Sequence, residues 1–132
     1  NTKKAVELLA QKLEEKGCPK VTVFDLARDD MAEAVEEAFR YGKLVLATIT
    51  YNGDIFPFMR TYIENLTERS YQNRTIGLIE NGSWAPAAAR IMQGMFEKSK
   101  NITWLENNVK ITSSLSEANE AEIDAMAEEL CK

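Results

Sequence analysis

Residues 43–48 read Lys43-Leu44-Val45-Leu46-Ala47-Thr48, an apolar run of strand length. Successive side chains of a strand point to opposite faces of its sheet. A run that is apolar at nearly every position therefore indicates a strand covered on both faces, which is typical of a parallel sheet. The stretch predicts an α/β fold with helices packed on both sides of the sheet.

Helical and strand-like patterns alternate on either side of this run. Apolar residues at helical spacing, with capping and stop residues, predict helices over 3–16, 29–42, 57–68, 86–98 and from 116 onwards. Short apolar runs predict strands over 21–24, 43–48, 74–79 and 101–112, the last interrupted at 106–108. Strict alternation with short connections predicts one domain over residues 1–132, a three-layer α-β-α arrangement with right-handed crossovers.

The start of the chain departs from this scheme. Asn1-Thr2 lead directly into a helix, whereas a doubly wound unit begins with a strand that feeds its first helix. We expect either a fold with four strands by design or a fragment of a longer protein that lacks its first strand.

Composition excludes several classes of function. The net charge of −5 argues against a nucleic-acid partner, which requires clustered Lys and Arg. No run of about 18 apolar residues exists for a membrane helix, and no signal peptide is visible. Without histidine, neither a histidine-based catalytic triad nor a histidine zinc site can be built, and no metal site is predicted.

The two cysteines, Cys18 and Cys131, lie far apart and have no metal-ligand spacing. The simplest interpretation is two free thiols in a reducing cytoplasm, so we expect a cytoplasmic protein. A bond between the two, near the chain ends, is the less favoured alternative.

Two loops at the carboxyl ends of predicted strands carry the chemistry. The first runs from Thr48 to Gly53 and the second from Glu80 to Trp84. Each combines an aromatic ring, an Asn-Gly corner that exposes backbone N–H groups, and nearby hydroxyls. In open parallel sheets ligands bind at this edge, so the pair suits a flat heterocycle with a polar rim. The structural alternative is that the rings cap the sheet and the Asn-Gly pairs only form turns.

Three stretches resemble the flavodoxin-like domain of the flavodiiron proteins, also called A-type flavoproteins. They are Asp25-Leu26-Ala27-Arg28-Asp29-Asp30, then Thr50-Tyr51-Asn52-Gly53 with Ile55-Phe56-Pro57, and Gly77-Leu78-Ile79-Glu80-Asn81-Gly82-Ser83-Trp84-Ala85-Pro86. The similarity extends over essentially all of residues 1–132. Asn1-Thr2 resemble the end of that domain's phosphate loop.

The resemblance implies a flavodoxin-like doubly wound sheet and a noncovalently bound FMN. Asn1 and Thr2 would hold the phosphate, and the two loops would bracket the ring, with Tyr51 and Trp84 as aromatic contacts. The full set of implied cofactor contacts is Asn1, Thr2, Thr48, Thr50, Tyr51, Asn52, Gly53, Glu80, Asn81, Gly82, Ser83, Trp84 and Ala85.

The resemblance also implies a role in electron transfer, with no catalytic residues of the chain's own. The chain would accept electrons from a redox partner protein, rubredoxin-like or a reductase, and pass them to a metal centre in another domain. Alone it should reduce neither oxygen nor nitric oxide. A stand-alone flavodoxin, a small flavin reductase and an apo fragment that binds no flavin stay open as alternatives, as does a homo-oligomer.

The absent first strand has a structural consequence. In the order 2-1-3-4-5 it is an inner strand that neighbours residues 21–26 and 43–48. These segments must pair with each other, accept a strand from another chain, or leave edges unpaired.

Overall fold

The computed structural model describes residues 2–18, 20–51, 54–82, 88–112 and 115–131, and the backbone alone at residues 49–51 and 54. The helices and strands follow one another in the order α1 (Thr2–Glu15), α2 (Met31–Arg40), β1 (Lys43–Tyr51), β2 (Asp54–Ile55), α3 (Pro57–Glu68), β3 (Arg74–Asn81), α4 (Ala88–Met95), β4 (Ile102–Trp104), β5 (Val109–Ile111) and α5 (Glu117–Leu130).

β3 is the central strand of the sheet. It pairs in parallel with β1 on one side, and with β4 and β5 on the other. The described strands follow the order β2-β1-β3-β4, with β5 beside the second half of β3. The predicted parallel α/β sheet is therefore confirmed. Its one antiparallel element among the described strands, β2 against the end of β1, was not anticipated.

Helices cover both faces of this sheet, as expected for three layers. One core lies beneath α2, α3 and α4 and includes Leu46 and Leu78. The other lies beneath α1 and α5 and includes Ile79. Adjacent residues of β3 thus belong to different cores, which is why the buried middle of the strand, from Ile76 to Ile79, has no polar side chain. None of the helices in the described ranges has the length and apolar content needed to cross a membrane.

The predicted interruption of the last strand is confirmed, and one side chain fills it. β4 ends at Trp104 and β5 begins at Val109. Between them, the side-chain oxygen of Asn108 accepts a 2.9 Å hydrogen bond from the backbone N–H of Leu78 in β3. The amide of Asn108 also donates to the Leu105 carbonyl at 2.8 Å. The β3 ladder therefore loses no partner where its neighbour breaks.

The strand predicted at residues 21–24 is wrong. No regular structure covers residues 20–25, and β1 pairs along 43–49 with β3 alone among the described strands. Val21 packs against one core, whereas Phe24 and Leu26 pack against the other. The apolar pattern thus reports burial correctly, but a strand also needs a ladder partner, and none of the described strands lies beside this segment. Residues 21–26 therefore do not pair with β1, and along residues 43–49 none of the described strands lies on that edge of β1.

The expectation of free thiols is also wrong. Cys18 and Cys131 form a disulfide with their Cα atoms 5.9 Å apart, although 113 residues separate them in sequence. α1 and α5 lie side by side in one layer, so their carboxyl ends meet. By the chain-entropy model, closing a loop of this length stabilises the fold by about 4–5 kcal/mol. The argument for a reducing cytoplasm, which rested on free thiols, loses its support.

Two buried tyrosines, Tyr62 in α3 and Tyr71 before β3, differ in how their hydroxyls are satisfied. The Tyr62 hydroxyl donates to the Ala34 carbonyl at 3.0 Å. The Tyr71 side chain is completely buried, yet within the described residues its hydroxyl has no hydrogen-bond partner. Burial raises the pKa of Tyr62 well above its usual range, and it raises the pKa of Tyr71 to about 12, against a smaller opposing effect of Arg74.

We predict that Tyr71→Phe leaves the free energy of unfolding unchanged or raised at pH 7, because it removes an unpartnered buried hydroxyl. In the wild type, the unfolded chain ionises near pH 10, before the native state does. Stability is therefore complete below pH 10 and is lost as the pH rises towards 12, by about 1.4 kcal/mol per pH unit for one such group. The Tyr71→Phe variant should lose less stability over this pH range, because it lacks one of the tyrosines that ionise on unfolding. The measurement is the free energy of unfolding in urea as a function of pH.

The matched variant is Tyr62→Phe, which deletes the same atom but breaks a hydrogen bond. It should lower the free energy of unfolding by about 1 kcal/mol at pH 7. If the two variants lost the same free energy of unfolding at pH 7, the different roles of the two hydroxyls would be contradicted.

Candidate functional site

The carboxyl ends of β1 and β3 meet at one edge of the sheet. Their register places Thr48 beside Glu80 and Ile49 beside Asn81. The two stretches singled out in the sequence therefore lie on neighbouring strands, as expected. The first was predicted as a loop from Thr48, whereas β1 continues to Tyr51 and pairs there with β2. Gly82 continues along this edge, where its N–H donates to the Ile111 carbonyl of β5 at 3.0 Å.

The first helix begins at the same edge. α1 starts at Thr2, and the side-chain amide of Asn81 donates to the Thr2 hydroxyl oxygen at 3.3 Å. This contact joins two predicted site residues that are 79 positions apart in the sequence. That bond uses the oxygen of Thr2 as acceptor, so the hydroxyl hydrogen is left to donate to a ligand.

The amino end of α1 is electropositive. The unsatisfied N–H groups of a first helical turn carry partial positive charge and bind anions. The first turn of α1 contains no acidic residue, and it carries the exposed side chains of Lys3 and Lys4. Sequence reasoning missed these lysines as site residues, although two cations in a first helical turn oppose the helix dipole. An anion bound there would offset that repulsion.

Thr48 and Glu80 lie on the other face of the same edge. By alternation they share the face of Leu46 and Leu78, beneath α2, α3 and α4. Thr48 is buried and Glu80 is half-buried. One carboxylate oxygen of Glu80, Oε1, is fully buried, and no donor in the described part of the chain reaches it. A buried acceptor without a partner is costly, so this oxygen suits a ligand that brings an N–H group.

The side chains of eight predicted cofactor contacts are not among those that the structure describes. Asn1, Asn52, Gly53, Ser83, Trp84 and Ala85 fall outside the described residues. At Thr50 and Tyr51 only the backbone is described, and it pairs with Ile55 and Asp54 of β2. The roles assigned to these eight positions stay predictions.

Grooves elsewhere on the surface do not compete with this edge. The larger, about 650 Å³, lies between the carboxyl ends of α3 and α4 and is lined by Ser70 and Lys98 among others. The second lies between α2 and α3, near Val35 and Asn65. Both grooves are open to solvent, and their lining residues include no buried polar side chain from the sheet. Over the described ranges, no three His, Cys, Asp or Glu side chains come together as metal ligands.

The geometry thus favours an elongated ligand with two different ends. Thr2 and the first turn of α1 suit an anionic end. The unpartnered oxygen of Glu80 suits an uncharged end that offers a donor, since an anion would be repelled by that carboxylate. The carboxyl edge of a parallel sheet is where such ligands bind in open α/β folds.

Solved structures of known proteins share this fold. The chain aligns with rubredoxin oxygen:oxidoreductase from Desulfovibrio gigas at a TM-score of 0.88 and 17% identity, over 97% of this chain and 31% of that one. It aligns with a mutant flavo di-iron protein from Thermotoga maritima at a TM-score of 0.77 and 20% identity, over 98% of this chain and 32% of that one. It aligns with a Fusobacterium nucleatum flavodoxin bound to flavin mononucleotide at a TM-score of 0.70 and 14% identity, over 99% of this chain and 90% of that one.

These similarities establish a flavodoxin-like fold, which occurs in both flavodiiron proteins and flavodoxins. The chain spans about a third of the first two proteins and nine-tenths of the flavodoxin. No protein-family model and no curated protein matches the sequence.

Proposed function

We propose that this chain binds FMN and relays electrons that it receives from a partner protein. The observation that carries the proposal is the contact of Thr2 with Asn81, which joins the anion-binding end of α1 to the carboxyl edge of the sheet. The flavodoxin-like fold supports the choice of ligand, because the Fusobacterium flavodoxin of similar fold is bound to flavin mononucleotide.

The described residues fit both ends of FMN. The phosphate matches the first turn of α1, with the Thr2 hydroxyl, the backbone N–H groups and the charges of Lys3 and Lys4. The flavin ring carries a polar rim with an N–H group, which matches the unpartnered oxygen of Glu80. Tyr51 and Trp84 would contact the ring faces, as the sequence predicts.

Bound FMN would supply one- and two-electron transfer, and the protein's contribution is to position the ring and tune its potential. In this proposal Thr2 and α1 hold the phosphate, Asn81 orients the Thr2 hydroxyl, and Glu80 places a negative charge near the ring. The acceptor of its electrons would be a metal centre in another domain.

We further propose that the chain is the electron-entry domain of a flavodiiron-type protein, with a rubredoxin-like protein or a reductase as donor. The close superposition on the D. gigas enzyme supports this, as do the Thr50–Pro57 and Gly77–Pro86 stretches. The second candidate is a stand-alone flavodoxin, which the nine-tenths coverage of the Fusobacterium protein favours. An in-frame coding sequence for a metallo-β-lactamase-like segment upstream of this chain would identify it as a flavodiiron-type domain rather than a stand-alone flavodoxin.

The test of FMN binding is a titration of the purified chain with FMN, followed by dialysis and a visible spectrum. A retained flavin spectrum at one FMN per chain is the expected result. A colourless, folded chain after dialysis, with no fluorescence change during the titration, would overturn the proposal.

Thr2→Val should weaken FMN binding by about tenfold or more, because a hydrogen bond to a charged group is lost. Riboflavin has no phosphate, so its affinity should not change. Both are measured by flavin fluorescence titration, with Thr61→Val on the exposed face of α3 as the control. A parallel loss of riboflavin affinity would contradict the assignment of Thr2 to the phosphate.

Trp84→Ala should weaken FMN and riboflavin alike, by about 2- to 12-fold for one lost aromatic contact. The matched control is Trp104→Phe, since Trp104 packs on Phe96 in the core, away from the site. Unchanged affinity for both flavins would exclude Trp84 as a ring contact.

Glu80→Gln should raise the midpoint potential of bound FMN, because it removes a negative charge that disfavours added electrons. A change of about 1.4 kcal/mol corresponds to about 30 mV for two electrons. The potential is measured by spectroelectrochemistry, with Glu97→Gln on the opposite edge as the control. Equal potentials in Glu80→Gln and the wild type would place Glu80 away from the ring.

A further inference from the structure

The disulfide ties together the two helices of one layer. Cys18 follows the carboxyl end of α1, and Cys131 directly follows α5. Gly17 adopts a left-handed conformation (φ 84°), and the N–H of Cys18 donates to the Leu13 carbonyl at 3.0 Å. This turn folds the chain back over the end of α1, which brings Cys18 towards α5.

Without the disulfide, α1 is held by packing and by exposed ion pairs. Leu9 and Leu13 are buried in the core shared with α5. Lys12 and Lys16 lie 3.5 and 3.4 Å from Asp124. Such partly exposed pairs contribute little. Beyond Lys16 the described chain has no helix or strand until α2, and in this connection Val21 is only partly buried against the core shared by α1 and α5.

The opposite end of α1 belongs to the candidate site. Thr2, its first residue, is bonded to Asn81 at the sheet edge. A helix of 14 residues is a rod about 20 Å long, so a tether at its carboxyl end limits the movement of its amino end. The disulfide and the anion-binding turn are the two ends of one rigid element.

The bond is also accessible to reaction. Cys131 is exposed and Cys18 is half-buried. Thiol–disulfide exchange requires access of a thiolate to one sulfur, and exposed disulfides are the ones that exchange readily. The sulfur of Cys131 is therefore the point of attack, and the sulfur of Cys18 is the leaving group.

We propose that the Cys18–Cys131 bond is a redox modification site through which a dithiol reductant controls the anion-binding end of α1. A thiolate of the reductant attacks the Cys131 sulfur, the S–S bond breaks, and Cys18 leaves as a thiolate that takes up a proton. The second thiolate of the reductant then attacks the mixed disulfide. Cys131 is released as a thiol and the reductant is left with a disulfide, so two electrons and two protons pass to this chain.

The consequence is a difference between the two forms. The oxidised form holds α1 against α5 and keeps Thr2 at the sheet edge. Reduction releases the carboxyl end of α1, which lets the helix open more often and weakens the phosphate end of the site. The part concerning FMN rests on the proposed function, whereas the release of α1 does not.

The experiment compares the full chain before and after treatment with millimolar dithiothreitol. Cysteine alkylation and mass spectrometry measure the fraction of chains in which the disulfide is reduced. Amide hydrogen exchange follows residues 2–15, with α3 (57–68) as the internal reference. Reduction lowers the overall stability, so exchange in α3 reports the change in global unfolding, and exchange in α1 should speed up by about tenfold or more beyond the change in α3. The Cys18→Ser/Cys131→Ser variant should match the reduced wild type and should not respond to dithiothreitol.

FMN and riboflavin titrations of both forms complete the test. We expect reduction to lower FMN affinity by about tenfold and riboflavin affinity less, because the phosphate end is released. Exchange in α1 that speeds up no more than exchange in α3, or a bond that stays oxidised in the native chain, overturns the proposal. Equal FMN affinity in the two forms overturns control of the site. If neither form binds FMN, the proposed function fails and the exchange data alone decide whether the bond controls α1.

Discussion

The parallel ladder between β1 and β3 is the interaction on which the rest of this structure depends. It runs without interruption from Lys43 opposite Thr75 to Ile49 opposite Asn81. Because both strands are apolar on both faces, each face requires a helical layer. The same register places Thr48 beside Glu80 at the carboxyl edge. One set of backbone hydrogen bonds therefore specifies the two cores and the position of the site.

The site gathers groups that are unfavourable in the isolated chain. Lys3 and Lys4 oppose the dipole of α1, and the buried oxygen of Glu80 lacks a donor within the described residues. Local rules of stability fail most often where a protein binds something, because the ligand supplies the missing partner. Away from the site, Asn108 fills a broken ladder and Ser116 forms a capping box with Asn119, although the buried hydroxyl of Tyr71 also lacks a partner among the described residues.

Sequence reasoning predicted the long elements well and the long-range pairings poorly. Helix periodicity and capping residues are local, so α3 and α5 were predicted within a few residues of their ends. Residues 21–24 were predicted as a strand because their apolar residues are buried, and burial alone does not provide a ladder partner. In the candidate site, Asn81 was named as part of the second polar loop, whereas Thr2 was named only on the basis of a resemblance. Lys3 and Lys4 were not, because their relevance depends on where α1 begins in space.

The amino-acid sequence by itself determined the α/β class, the layered order of helices and the two polar loops at strand ends. These features follow from side-chain periodicity and turn chemistry, which act over a few residues. Only the tertiary structure decided that Cys18 meets Cys131, that Asn81 bonds Thr2 and that one edge of β1 faces no described strand. Each of these depends on the distance between residues remote in the chain, and only the packing of the helices on the sheet sets that distance.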